Sequence, residues 1–281
     1  MTNDKLPHLT DNFNIFYREA GDPQQPTMLL FHGFPSASHM FRDLMPLLSQ
    51  HFHLIAPDFP GFGQSSMPSH TEFAYTFDHL STVMTDFIQR LGLTKFHLYV
   101  FDYGAPIGFR IATAHPNWIA GIISQNGNIY QAGLGAKWAV RQDFWDHPTP
   151  AKRDSYRTAF APDTIKGQYL PGTPANSVSP DGYTLDIAYT DRPHYAENQL
   201  DLIFDYQSNI KAYPKFQQYL RHYQPKLLAI WGKNDPSFIF PGAQAFTHDD
   251  PNATVQSVDS GHFALESHAS TIAAAILTQF A

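Results

Sequence analysis

There is no cysteine anywhere in the 281 residues, which excludes disulfide frameworks and thiolate metal sites together. Charge is also scarce: Asp, Glu, Lys and Arg make up 15% of the chain, and the formal net charge is −7. No run of Lys and Arg is present, so the sequence offers neither a nucleic-acid surface nor a polybasic membrane anchor. No apolar stretch is long enough to span a bilayer. The opening stretch MTNDKLPHLTD has no apolar core and does not read as a secretory signal. The lack of cysteine does not fix the compartment; without a signal or a span the expected one is cytoplasmic, with no nucleic-acid and no membrane partner. What is abundant is apolar: 43% of residues are hydrophobic and 15% aromatic. Such a chain buries a large core, and aromatic side chains also line apolar pockets. A small, largely apolar ligand is expected ahead of a polyanion.

Short apolar runs alternate with helical spacing. Strands are predicted over 13–19, 28–31, 53–56, 96–101 and 119–124. Helices are predicted over 41–48 and 77–91, the second with Leu80, Val83, Met84, Phe87, Ile88 and Leu91 on one face. The glycines of DFPGFGQS at 58–65 invite a phosphate-loop reading. No Lys-Ser/Thr follows, and Pro60 with two Phe residues fits a packed turn better. The rhythm breaks between about 129 and 225, where Pro, Gly, Asp and aromatics accumulate with helical patches such as 216–223. It resumes with a strand at 226–231, a helix starting at 243–246, a strand at 254–258 and a helix at 271–280. Alternation of this kind predicts an α/β protein with a mostly parallel sheet covered by helices on both faces. The expected domains are a core, 1–128 and 225–281, with a mainly helical cap inserted at 129–224. The other reading of the insertion is an irregular extension with its own small core.

The stretch FHLYVFDYGAPIGFR, residues 96–110, organises the rest. A buried strand stops at Asp102, and Gly104, Ala105 and Gly108 open a helix running on through Ala114. Small residues after the apex let the backbone turn tightly. The layout matches a nucleophile elbow in part, with Asp in place of Ser at the apex and Val100 in place of the first glycine. Asp102 alone could equally be a helix N-cap. Two further candidates follow predicted strands, Asp235 and His262. Singly, Asp235 before Pro236 is an ordinary turn residue and His262 an ordinary loop histidine. Parallel strands would bring all three to one edge, where ligands bind. Their order is nucleophile, acid, histidine.

With these residues in view, the chain resembles the α/β-hydrolase fold over most of 13–128 and 225–281. The resemblance rests on HGFP at 32–35, DFPGFGQS at 58–65, DYG at 102–104, WGKND at 231–235 and GHF at 261–263. An apex Asp resembles the branch containing epoxide hydrolases and haloalkane or haloacetate dehalogenases. That resemblance implies Asp102 as nucleophile, Asp235 as triad acid and His262 as base. It implies an oxyanion hole from the backbone N–H groups of Phe34 and Tyr103. Some dehalogenases take the acid from the end of the strand after the elbow helix, and here that place holds Asn126.

The departures are informative. Haloalkane dehalogenases usually hold halide with Trp after the nucleophile and Asn after HG. Here Tyr103 and Phe34 stand there, and a Phe side chain donates nothing. Haloacetate dehalogenases usually place Arg where Tyr103 stands. Epoxide hydrolases commonly carry HGF, Asp-Trp-Gly at the apex and two cap tyrosines as acids. Tyr206, in FDYQSN, lies where one such tyrosine is expected. The second is not assigned.

A carboxylate is ionised at neutral pH and can displace a leaving atom at an sp3 carbon, forming an ester. His262 would then activate water, with Asp235 orienting its ring. The leading expectation is a cofactor-free, epoxide-hydrolase-like enzyme for a small apolar substrate. The alternatives are a haloalkane or haloacetate dehalogenase, and a ligand-binding relative with little turnover. Carboxylesterase activity is disfavoured because carboxylate attack on an ester gives a mixed anhydride. A metal site is not expected, since His51 and His53 have no further ligands nearby in sequence.

Overall fold

In a computed structural model of the chain, residues 13–281 are described throughout; before them, only the strand segments at 3–5 and 8–9 are. The early strand expected over 13–19 is in fact two. β1 (Asn3–Lys5), β2 (His8–Leu9), β3 (Phe13–Asn14) and β4 (Tyr17–Ala20) open the chain. β2 and β3 pair in a separate ribbon, while β1 and β4 enter the main sheet. The cause lies in the backbone between them. The N–H of Phe16, between the two strands, bonds to the Ser65 hydroxyl at 2.9 Å rather than to a strand.

Alternation follows as expected: β5 (Thr27–Phe31), α1 (Leu44–Leu48), β6 (His53–Pro57), α2 (Phe77–Arg90), β7 (Phe96–Phe101), α3 (Gly104–Ala114) and β8 (Ile119–Gln125). The helix expected over 41–48 is a 3-10 turn, Ser38–Phe41, followed by the short α1. Thr76 caps α2 by accepting the His79 N–H, and its predicted apolar face is buried from Phe77 to Ile88. Residues 129–224 carry α4 (Trp138–Asp146), α5 (Pro150–Ser155), α6 (Pro162–Tyr169), α7 (Pro180–Tyr189) and α8 (Tyr195–Tyr223). The patch expected at 216–223 is the end of α8, a 29-residue helix that continues through Pro214. Then come β9 (Leu227–Gly232), α9 (Pro241–Asp249), β10 (Thr254–Val258) and α10 (Ala264–Phe280). α10 starts earlier than expected and is interrupted by non-helical angles at His268. Among the described residues, no helix is long and apolar enough to cross a membrane.

The main sheet has the order β1-β4-β6-β5-β7-β8-β9-β10. β4 runs antiparallel to both neighbours, and every pairing from β6 to β10 is parallel. Both faces are buried. Leu29, Phe31, Leu98, Val100, Leu227 and Ala229 pack on one side, and Met28, Leu30, Tyr99, Phe101, Leu228 and Ile230 on the other. That two-sided burial is why these strands read as unbroken apolar runs. From β5 the chain adds β6 on one side, then crosses to β7 on the other. The loops after β5 and β7 therefore diverge, and a crevice at the strands' carboxyl ends is the expected place for a ligand.

Candidate active site

The loops after β5, β7, β9 and β10 carry Phe34, Asp102, Asp235 and His262, and the fold brings all four together. Asp102 sits at the apex with φ +46, a region that costs a non-glycine residue energy. Its surroundings permit no bulk. A Cβ on Gly33 would lie 2.4 Å from the Asp102 Cβ, and one on Gly104 would lie 2.5 Å from the Phe31 carbonyl oxygen. Asp102 does not cap α3, whose N-cap is Tyr103 without a side-chain bond. Instead its Oδ1 accepts the backbone N–H of Phe34 at 2.8 Å. The other oxygen, Oδ2, lies 3.6 Å from His262 Nε2.

His262 reaches Asp235 from its other nitrogen, with Nδ1 2.6 Å from Oδ2. Burial alone would lower the imidazole pKa. The Asp235 and Asp102 carboxylates outweigh burial, and it is raised from 6.5 to about 9. Asp235 is itself buried and well bonded. Oδ1 accepts the N–H groups of Ser237 and Phe238 at 2.7 and 3.1 Å, and Oδ2 accepts Asn126 Nδ2 at 2.8 Å. Asn126 has φ +48, and its Oδ1 accepts the Gly232 N–H at 2.9 Å. The amide at the end of β8 thus clamps the carboxylate at the end of β9.

Two neighbouring features serve the frame. His32 is buried, and its Nε2 accepts the Phe59 N–H at 3.0 Å. Desolvation lowers its pKa to about 3, so the ring is neutral. The turn at 58–65 closes on Asp58, whose oxygens accept the N–H groups of Ser38 and Gln64, each at 2.7 Å. That is a packed turn.

Tyr206 of α8 is fully buried, its ring centroid 5.8 Å from that of Tyr103 and 4.6 Å from that of Trp138. Burial pushes its hydroxyl pKa well up; Tyr213 and the Asp102 charge add to the effect. Its oxygen is 3.3 Å from that of Tyr213. In the sequence Tyr213 is one of many tyrosines in this segment and has no assigned role, although a seven-residue spacing places it on one helix face with Tyr206. Nothing local in the sequence points to the clamping role of Asn126. The indole N–H groups of Trp138 and Trp145 are committed to the carbonyls of Ser237 and Ile203, at 2.9 and 3.1 Å.

The strand order and the apex turn define a hydrolase fold, and comparison with known proteins agrees. Residues 26–269 match the family model described as alpha/beta hydrolase fold. The chain belongs to that family. It is 44% identical over 276 residues to YNR064C, an uncharacterized hydrolase of Saccharomyces cerevisiae, covering 96% of this chain and 94% of that one. It is 27% identical over 270 residues to haloalkane dehalogenase 2 of Mycobacterium tuberculosis, covering 91% and 88%. The crystal structure of haloalkane dehalogenase DbeA from Bradyrhizobium elkani superposes with a TM-score of 0.83 at 21% identity, covering 99% and 97%. That last likeness is one of fold. The protein is a hydrolase of the α/β-hydrolase fold with haloalkane dehalogenases among its relatives.

Proposed function

We propose that the protein hydrolyses a small, largely apolar substrate through a covalent alkyl ester on Asp102. The observation that carries this reading is the asymmetry of that carboxylate. Oδ1 is held by the Phe34 N–H at 2.8 Å, while Oδ2 faces His262 without a close bond to it. Oδ2 attacks an sp3 carbon, and the bond from that carbon to the leaving atom breaks with its electron pair. Water then attacks Cγ of Asp102. The oxyanion forms on Oδ1, already at the Phe34 N–H, with the Tyr103 N–H as the second donor. Such a donor is worth ~3–4 kcal/mol by analogy with serine enzymes.

His262 takes the proton of that water. Its raised pKa means that the resting ring is charged. Ester formation neutralises Asp102 and removes one of the two charges that hold the proton there. The ring then deprotonates and becomes a base at the step that needs one. Asp235, clamped by Asn126, orients it and stabilises the imidazolium that follows.

The preferred leaving atom is an epoxide oxygen. Such an oxygen needs a proton as it departs, and Tyr206 supplies it from the segment 129–224, which we read as a cap. The indoles beside Tyr206, which would suit a halide, are spent on carbonyls. A dehalogenase reading is favoured instead by the names of the relatives at 27% identity.

Single turnover in heavy-oxygen water tests the ester. The expected result is solvent oxygen in the peptide containing Asp102. An unlabelled peptide with fully labelled product would make Asp102 a general base. A panel of epoxides, chloroalkanes, bromoalkanes and haloacetates tests the leaving atom. Release of halide with no diol would reverse the preference.

A further inference from the structure

One buried hydroxyl beside the apex has no use in this scheme. Tyr103 follows Asp102, its side chain is buried, and its hydroxyl has no hydrogen-bond partner. An unmet buried donor costs stability, so its presence calls for an explanation. Its ring neighbours explain the lack of a partner. Phe34, Phe62 and Phe77 lie at centroid distances of 5.9, 6.5 and 5.0 Å and offer no bonding atoms. The fourth neighbour is Tyr206, at 5.8 Å. Burial pushes both phenols up, and the Asp102 charge acts on both. The Arg141 guanidinium, stacked over Trp138 at 4.3 Å, pulls Tyr103 partly back. Both phenols therefore keep their protons at neutral pH and serve as donors.

We propose that Tyr103 is a second catalytic hydroxyl, forming with Tyr206 a two-donor cradle for the leaving oxygen of an epoxide. This rests on the epoxide reading above, and it takes the second donor from the elbow rather than from the cap. The two phenols divide the work. Tyr213 accepts from Asn128 Nδ2 at 3.4 Å and lies 3.3 Å from Tyr206, so its own hydrogen is free to support a Tyr206 phenolate. Tyr206 therefore transfers the proton. As Asp102 Oδ2 bonds to the carbon, the epoxide C–O bond breaks and its electron pair stays on oxygen, which takes the Tyr206 proton. Tyr103 keeps its proton and donates a hydrogen bond to that oxygen. Ester hydrolysis later releases a proton through His262 and solvent, which restores Tyr206. The sum is addition of one water to one epoxide.

The test is single-turnover kinetics of Tyr103→Phe with a terminal epoxide. Alkylation of Asp102 is expected to slow roughly 10²–10³-fold, the usual effect of losing one such donor. Hydrolysis of the ester should be unchanged. Thermal stability should be equal or higher, because an unmet buried group has been removed. Tyr156→Phe is the control. It deletes another partnerless buried hydroxyl, one whose surroundings include Arg141 and Asp143 rather than Asp102. An unchanged alkylation rate in Tyr103→Phe, with the wild type active on the epoxide, would overturn this inference alone. An equal loss in Tyr156→Phe would also overturn it, by showing a general packing effect. A wild type that forms no ester with any epoxide would overturn the reading beneath it, and this inference with it.

Discussion

On the sheet wall of the site, the Asp235 carboxylate accepts four hydrogen bonds, and the Asn126 side chain makes four, one of them shared with Asp235. On the aromatic wall, formed by the rings around Tyr103 and Tyr206, the Tyr103 hydroxyl is buried with none, and the Tyr195 hydroxyl is in the same state. A satisfied buried network fixes geometry and electrostatics in advance. Unmet donors do the reverse: they cost stability until something arrives to accept from them. In the proposed mechanism the sheet wall serves the second step, where charge must be placed without reorganisation. The aromatic wall serves the first, where a leaving atom completes it.

The largest test of this division is His262→Gln. Loss of the base should abolish turnover, by roughly 10⁴-fold or more if it matches the histidine of serine enzymes. Alkylation should survive, because it draws on Asp102 and the aromatic wall. Intact-protein mass spectrometry after substrate addition should show one stoichiometric adduct. Near-normal turnover would remove His262 from the second step and dissolve the contrast between the walls.

A smaller effect concerns pH and stability. The folded pKa of His262 is raised to about 9 from 6.5, so the folded state binds this proton more tightly than the unfolded chain does. The stabilisation is fully present below the unfolded pKa and disappears as pH rises through about 9. The full shift corresponds to about 3 kcal/mol. Unfolding free energies from urea titration at pH 6 and pH 9.5 should differ by that order in the wild type, and much less in His262→Gln. The phenols of the other wall stay protonated throughout this window. Parallel pH curves for the two proteins would mean that the sheet wall does not hold the proton.

The same contrast sets how much could be read from sequence. Strands β5, β7 and β9 were legible because burial on both faces makes them continuous apolar runs. The gathering of Asp102, Asp235 and His262 at one edge of the sheet was legible because each lies in the loop that follows a parallel strand. The role of Asn126 was not, since its bond to Asp235 joins residues 109 apart in the chain. α8 was legible only in part. Pro214 lies inside it, and buried Asn198, Gln199 and Asn209 interrupt its apolar stripe. The start of α10 was hidden by the break at His268. The partnerless hydroxyl of Tyr103 is a product of packing between distant rings, which no local pattern announces.

The smallest expected effect belongs to Asn126, and it tests whether the sheet wall depends on its network. Asn126→Ala deletes four side-chain bonds and leaves the Gly232 N–H and Asp235 Oδ2 one partner short. An unmet buried group costs about 1–3 kcal/mol. The substitution also places Ala at φ +48, a conformation that Asn tolerates better. Asn126→Gly separates the two causes, because glycine adopts that angle freely. Destabilisation shared by both variants is the loss of the amide; any excess in the Ala variant is backbone strain. Asp235 keeps the Ser237, Phe238 and His262 donors in either case. Turnover should therefore fall far less than in His262→Gln, and the fall should lie in ester hydrolysis rather than alkylation. Urea unfolding and single-turnover rates measure both quantities. If both variants unfold within about 0.5 kcal/mol of the wild type, the range of ordinary surface changes, the clamp is dispensable. The fixed geometry of that wall would then come from Asp235 and its backbone donors alone.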